Sequence, residues 1–193
     1  MPQEHVSRRE ISMLAGAIVA GVGAVAATRA GAGEAVAPAS EVSRSNAAIH
    51  QEVVIAVPAS RVYRALTTAE GFDRIVRLSA AMNSSMQTML GTAPTAIDAR
   101  PGGAFALFGG YISGRNLELV PNARLVQAWR AGNWPPGLYS IAEFALASEG
   151  SSTRIVFDHR GFPNEDADHL AAGWHGNYWV PLAKSLAPTP LNP

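Results

Sequence analysis

The chain has no cysteine, which excludes disulfides, thiolate nucleophiles, zinc–cysteine centres and iron–sulfur clusters together. Net charge is also missing, because fifteen basic residues balance fifteen acidic ones. A nucleic-acid binder needs a basic face to neutralise phosphates, so no nucleic-acid partner is expected. Internal repeats are absent. No apolar run reaches the roughly 20 residues that a membrane-spanning helix requires. What is present is 48% hydrophobic content over 193 residues, enough for one well-cored domain with appendages. Eighteen Gly and thirteen Pro call for many turns, hence a sheet-rich fold rather than a helical bundle.

The first stretch reads Ser7-Arg8-Arg9-Glu10-Ile11-Ser12-Met13, then an uncharged run from Leu14 to Ala27, then Thr28-Arg29-Ala30-Gly31-Ala32. Paired arginines, a mildly apolar segment and a small-residue cleavage site resemble a twin-arginine (Tat) export signal. Residues 1–32 are therefore expected to engage the Tat machinery and, if cut after Ala32, to leave no membrane span. The expected location is periplasmic or extracellular. Residues 33–47 read as a flexible tether, 48–187 as the folded domain and 188–193 as a tail.

Within the domain, His50 to Val57 alternates as a strand, with Val53, Ile55 and Val57 on one face. Pro58 ends it. Ala59 to Leu66 suits a short helix, and Thr67-Thr68-Ala69-Glu70 has the form of a capping box that starts a second one. Ile75, Leu78, Met82, Met86 and Met89 then fall on one helical stripe, which predicts a helix reaching Met89. Its methionines suit either ordinary core packing or a deformable cavity wall. Six strand-like stretches follow, separated by Pro101-Gly102-Gly103, Gly109-Gly110, Pro121-Asn122, Asn133 to Gly137 and Glu149-Gly150, an antiparallel meander. The last element is a long helix capped at Asn164. Leu170, Trp174, Tyr178 and Leu182 lie along one face of it, and Pro181 predicts a kink near Asn177.

Candidate chemistry is sparse. His169 and His175 stand about 240° apart around a helix and cannot share a metal. No pair has ligand spacing, so neither metal nor cofactor is expected. Alternation places Thr153, Ile155, Phe157 and His159 on one strand face. His159 and His175 are each either a hydrogen-bonded structural histidine or a general acid–base, since histidine titrates near neutrality.

Seven short pieces recur in order along the domain: Arg100-Pro101-Gly102-Gly103, Gly109-Gly110 with Ile112-Ser113-Gly114, Leu119-Val120-Pro121, Trp129-Arg130, Asn133-Trp134-Pro135, Gly161-Phe162-Pro163 and Gly173-Trp174. With Val57-Pro58-Ala59 and Leu66-Thr67 added, residues 49–186 resemble the C-terminal domain of the activator of heat-shock-protein-90 ATPase. That resemblance implies an α+β, START-like helix-grip fold: a curved antiparallel sheet wrapped around a long C-terminal helix, with two shorter helices after the first strand. It also implies an apolar cavity between sheet and helix. Met82, Met86, Met89, Phe108, Trp129, Trp174 and Tyr178 are the residues expected to line it, and a small apolar or aromatic molecule is the expected partner. Fold alone leaves a carrier, a cofactor-independent cyclase or lyase, and a co-chaperone-like interaction module all open. The chain departs from that family in having the leader where co-chaperones carry an N-terminal domain, and in the apparent length of the Ile75–Met89 helix.

Overall fold

Alternation of apolar and polar side chains along Ala48–Ile55 makes the first strand, β1, with Ile49 and Ile55 buried and Val54 facing out. The computed structural model from which this is read describes residues 47–83 and 90–188. The expected leader, Met86 and Met89 lie outside the described residues.

β1 ends at Ile55 rather than at Val57, because the Val57 amide turns back to the Ile55 carbonyl at 2.8 Å. After Pro58, α1 (Ala59–Thr67) buries Val62 and Leu66. α2 (Ala69–Leu78) follows after one residue. That residue, Thr68, is the cap, rather than Thr67. Its Oγ1 accepts from the Gly71 amide at 3.1 Å and donates to the Arg64 carbonyl at 2.8 Å, so one side chain closes α1 and opens α2. The Thr67 hydroxyl instead donates to the Tyr63 carbonyl inside the last turn of α1, at 2.8 Å.

The helix expected to run to Met89 stops at Leu78. Ser79 is extended (φ −73°, ψ 153°), and its amide and hydroxyl both donate to the Val76 carbonyl, at 3.0 and 2.8 Å. A short polar side chain that competes for a helix carbonyl in this way favours termination over continuation. A 3-10 turn at Ala80–Asn83 follows. The proposed stripe breaks with the helix: Ile75 is buried, Leu78 is exposed and Met82 is half-buried.

The meander has β2 (Ala96–Ile97), β3 (Ala104–Leu107), β4 (Ile112–Val120), β5 (Arg124–Ala131), β6 (Ser140–Glu149) and β7 (Ser152–Arg160). All pairings are antiparallel, and β1 closes back on β7 to give the order β1-β7-β6-β5-β4-β3-β2. The inner face carries Leu125, Trp129, Phe144, Ile155 and Phe157, all buried. The outer face is polar, with Glu143 held between Arg124 (3.1 Å) and Arg160 (3.6 Å).

The final helix lies across the inner face. It opens with a 3-10 turn at Asn164–Asp166, so α3 proper (Ala167–Trp174) starts later than an Asn164 cap would place it. The expected kink takes the form of a π-helical turn, His175–Trp179, that leads into α4 (Val180–Leu186). There the Val180 amide donates to the His175 carbonyl, five residues back. Pro181 has no N–H to offer the preceding turn, and widening the helix makes room for its ring. Leu170, Trp174, Tyr178 and Leu182 are buried along one side. This is the curved sheet gripping a long helix that the sequence implied.

Candidate functional site

The π turn sets the azimuth of the side chains on either side of it, and both ends point aromatics at the sheet. Trp174 and Tyr178 pack with ring centroids 4.2 Å apart. Trp129, from β5, lies 5.6 Å from Trp174. Phe108, between β3 and β4, completes the group 5.6 Å from Tyr178 and 5.7 Å from Phe72.

Phe108 holds a left-handed backbone (φ 50°), which costs a bulky residue about 1–3 kcal/mol. The surrounding turn enforces it. At Gly109 (φ 68°) a Cβ would sit 1.8 Å from the Gly91 carbonyl oxygen, so the two backbones meet only because both residues are glycine. The Ala93 amide adds a bond to the Gly109 carbonyl at 3.3 Å. A strained aromatic and a π turn thus flank one space.

That space is a cavity of about 70 Å³, open on one side. Its apolar walls are Phe108, Ile112, Trp129, Trp134, Leu170 and Trp174, with Tyr178. Polar groups gather near Asp166, Asn133, His169 and Asn177. The Trp134 indole N–H donates to Asp166 Oδ2 at 2.7 Å, and the Tyr111 hydroxyl donates to Asn133 Oδ1 at 3.0 Å. Burial, helped by the Asp166 charge, raises the Tyr111 pKa. Burial likewise raises that of Tyr178 beyond any physiological pH, so its phenol stays protonated. The Trp129 indole N–H points to the Tyr178 oxygen at 3.4 Å.

His159 and His175 lie elsewhere. His159 is fully buried on β7 behind the aromatic wall, ringed by Trp129, Phe162 and Trp174 at centroid distances of 5.2, 4.8 and 5.4 Å. The Trp174 indole donates to its Nδ1 at 3.0 Å. An indole is a donor only, so the imidazole proton sits on Nε2 and is donated to Ser140 Oγ at 2.7 Å. Ser140 passes its own proton to the Trp129 carbonyl at 2.9 Å. Both imidazole nitrogens and the Ser140 hydroxyl thus have partners, and desolvation lowers the His159 pKa to about 3. His175 is exposed. Neither histidine lines the cavity. Among the described residues no three His, Asp or Glu side chains gather as a metal site would require.

Of the residues expected on the walls, Phe108, Trp129, Trp174 and Tyr178 come together. Met82 does not line the cavity, and Met86 and Met89 fall outside the described residues. Sequence reading missed Asp166 and weighed His169 only as half of a metal pair. Asn133 and Trp134 stood in a motif, whose structural sense is now visible: Arg130 Nη2 donates to the Trp134 carbonyl at 2.7 Å, and Trp134 packs on Trp129 at 5.3 Å.

Residues 56–187 match the family described as activator of Hsp90 ATPase homolog 1-like protein. The chain belongs to this family. Over 94 residues it is 29% identical to the human activator of 90 kDa heat shock protein ATPase homolog 1, covering 49% of this chain and 28% of that protein. It is 39% identical over 90 residues to an uncharacterized protein of Schizosaccharomyces pombe, covering 47% and 27%. The chain thus spans less than a third of the curated relatives it matches. Among solved structures, an HSP90 activator from Plasmodium falciparum superposes with a TM-score of 0.56 at 22% identity, over 68% of this chain and 89% of that one. CalU16 from Micromonospora echinospora gives 0.56 at 23%, over 73% and 76%. These likenesses establish the START-like fold of the family.

Proposed function

We propose that this chain is an exported binding protein that holds a small, largely apolar molecule in the cavity between β5, the Phe108 turn and the π turn of the final helix. The observation that carries this reading is the cavity itself: aromatic walls, a few convergent polar groups, backbone strain at Phe108 and a π turn opposite, features that mark ligand sites. Its volume of about 70 Å³ is about half the roughly 150 Å³ void that admits a benzene. The enclosed part is therefore too small for a whole ring, so a single-ring ligand would be held partly in the open mouth, and a multi-ring molecule would fit worse. Export rests on the twin-arginine leader.

An acid–base role for His159 or His175 finds no support in the site, since one is sealed behind the wall and the other faces solvent. The carrier reading is tested by a thermal-shift screen of single-ring aromatic and alicyclic compounds, followed by calorimetry on any hit. A ligand at a hundred times its dissociation constant stabilises a one-site protein by about 2.7 kcal/mol. Hits should lose affinity when Trp174 is changed to Leu. Absence of any stabilising compound, or hits indifferent to Trp174→Leu, would reject the cavity as the binding site.

A further inference from the structure

Tyr178 brings a buried hydroxyl to the cavity wall, the residue being only 5% exposed. Its oxygen accepts one long bond, from the Trp129 indole at 3.4 Å. The indole has no lone pair to return, so the phenolic proton cannot go to Trp129. Among the described residues none accepts it. A buried donor without an acceptor is costly, and it is normally satisfied by protein, by ordered water or by a ligand.

The remaining lining narrows what that ligand can be. No Arg or Lys is among the described residues of the cavity wall, and its carboxylate is that of Asp166. An anionic ligand would find no fixed cation and would lie against a like charge. A pure hydrocarbon would leave the phenolic proton unmet. What remains is an uncharged body carrying an acceptor oxygen.

We propose that the cavity selects a small neutral carbonyl compound, a single-ring ketone or aldehyde, whose oxygen accepts the hydrogen of the Tyr178 hydroxyl. This rests on the binding role argued above and adds the chemical class of the ligand. Tyr178 is the specificity-determining donor, and the Trp129 indole orients it by occupying its lone pair. Trp174, Phe108 and Leu170 cover the ring.

The test uses the purified full chain with cyclohexanone and its hydrocarbon isostere methylenecyclohexane, which replaces the oxygen by a methylene at nearly constant shape. Calorimetry should give about tenfold tighter binding of the ketone, the scale of one buried hydrogen bond. The carbonyl stretch of the bound ketone should fall below its frequency in cyclohexane. Tyr178→Phe should bind both ligands alike and return the stretch towards its apolar value. Equal affinities in the wild type, a ketone preference that survives in Tyr178→Phe, or tighter binding of cyclohexanecarboxylate would each overturn the proposal. Should methylenecyclohexane bind without any ketone preference, the carbonyl assignment fails and the cavity stands. Failure of both compounds to bind would remove both. The wild-type comparison and its infrared shift decide the matter even if Tyr178→Phe does not fold.

Discussion

Acid should weaken this protein through His159, and the amount follows from where the imidazole sits. The ring is fully buried among Trp129, Phe157, Phe162 and Trp174, and among the described residues its shift has burial alone as its cause. Protonation would place a second N–H against the Trp174 indole, which can only donate, and would leave the charge without a counterion. Desolvation therefore holds the folded-state pKa near 3, against an ordinary value of 6.5. The sign follows directly. Below pH 6.5 the unfolded chain takes up a proton that the folded chain refuses, so stability falls as pH drops and levels off near pH 3. At about 1.4 kcal/mol per pH unit, the loss from this one group reaches about 2 kcal/mol at pH 5. His50 acts in the opposite direction, because its hydrogen bond to Asp158 raises its pKa. Comparison with His159→Gln cancels that contribution, since His50 is common to both proteins. Urea unfolding at pH 7 and pH 5 should show the wild type losing about 2 kcal/mol more than the variant. Equal losses in the two proteins would refute the sealed, neutral imidazole. So would a wild type that is stabilised by acid.

Further expectations concern the leader, the family label and the cavity turn. In a host with a working Tat pathway, Arg8→Lys together with Arg9→Lys should hold the protein in the cytoplasm while the wild type reaches the periplasm; normal secretion of the double variant, read by fractionation, would sink the export proposal. On the carrier reading the purified protein should not stimulate a heat-shock-protein-90 ATPase; a saturable several-fold stimulation at micromolar protein would favour an interaction module instead. Gly109→Ala should cost more than about 2 kcal/mol in urea unfolding, combining left-handed strain with a Cβ placed 1.8 Å from the Gly91 oxygen. Gly137→Ala (φ 83°, open space around the Cβ) should cost only about 1 kcal/mol, and a loss at Gly109 no greater than that would show that the backbone contact does not hold the turn.

The meander and the final helix were legible because their signals are local. Period-two alternation from Thr153 to His159 and four-residue spacing from Leu170 to Leu182 each specify a buried face without knowledge of any neighbour. Glycine pairs and the Pro121-Asn122 turn then fixed the strand boundaries. The second helix was misjudged for the converse reason. Ile75, Leu78 and Met82 have helical spacing, yet a single serine ended the helix by turning its hydroxyl onto the Val76 carbonyl, and spacing alone carries no information about that competition. The cap shifts from Thr67 to Thr68 although only Thr67 has a glutamate three residues on, because α1 runs through Thr67 and Thr68 is the extended residue between the two helices.

The site was legible in its aromatics and opaque in its polar groups. Bulk is a property of residue type, so Trp174 and Tyr178 could be assigned to the interior from their place on an apolar helix face, and Trp129 from the family resemblance. Function at a polar atom depends on what its partners leave unspent, and that is set by neighbours far away in sequence. His159 offered the most promising chemistry along the chain, but Trp174 and Ser140 consume both of its nitrogens. Tyr178 offered only bulk, yet its partner Trp129 donates without accepting and leaves a proton free at the cavity wall. Both outcomes follow from a donor-only indole, one placed against an imidazole and one against a phenol. The same side-chain chemistry therefore silences the histidine and arms the tyrosine, and the π turn that precedes Pro181 is what brings Trp174 and Tyr178 to those two partners at once.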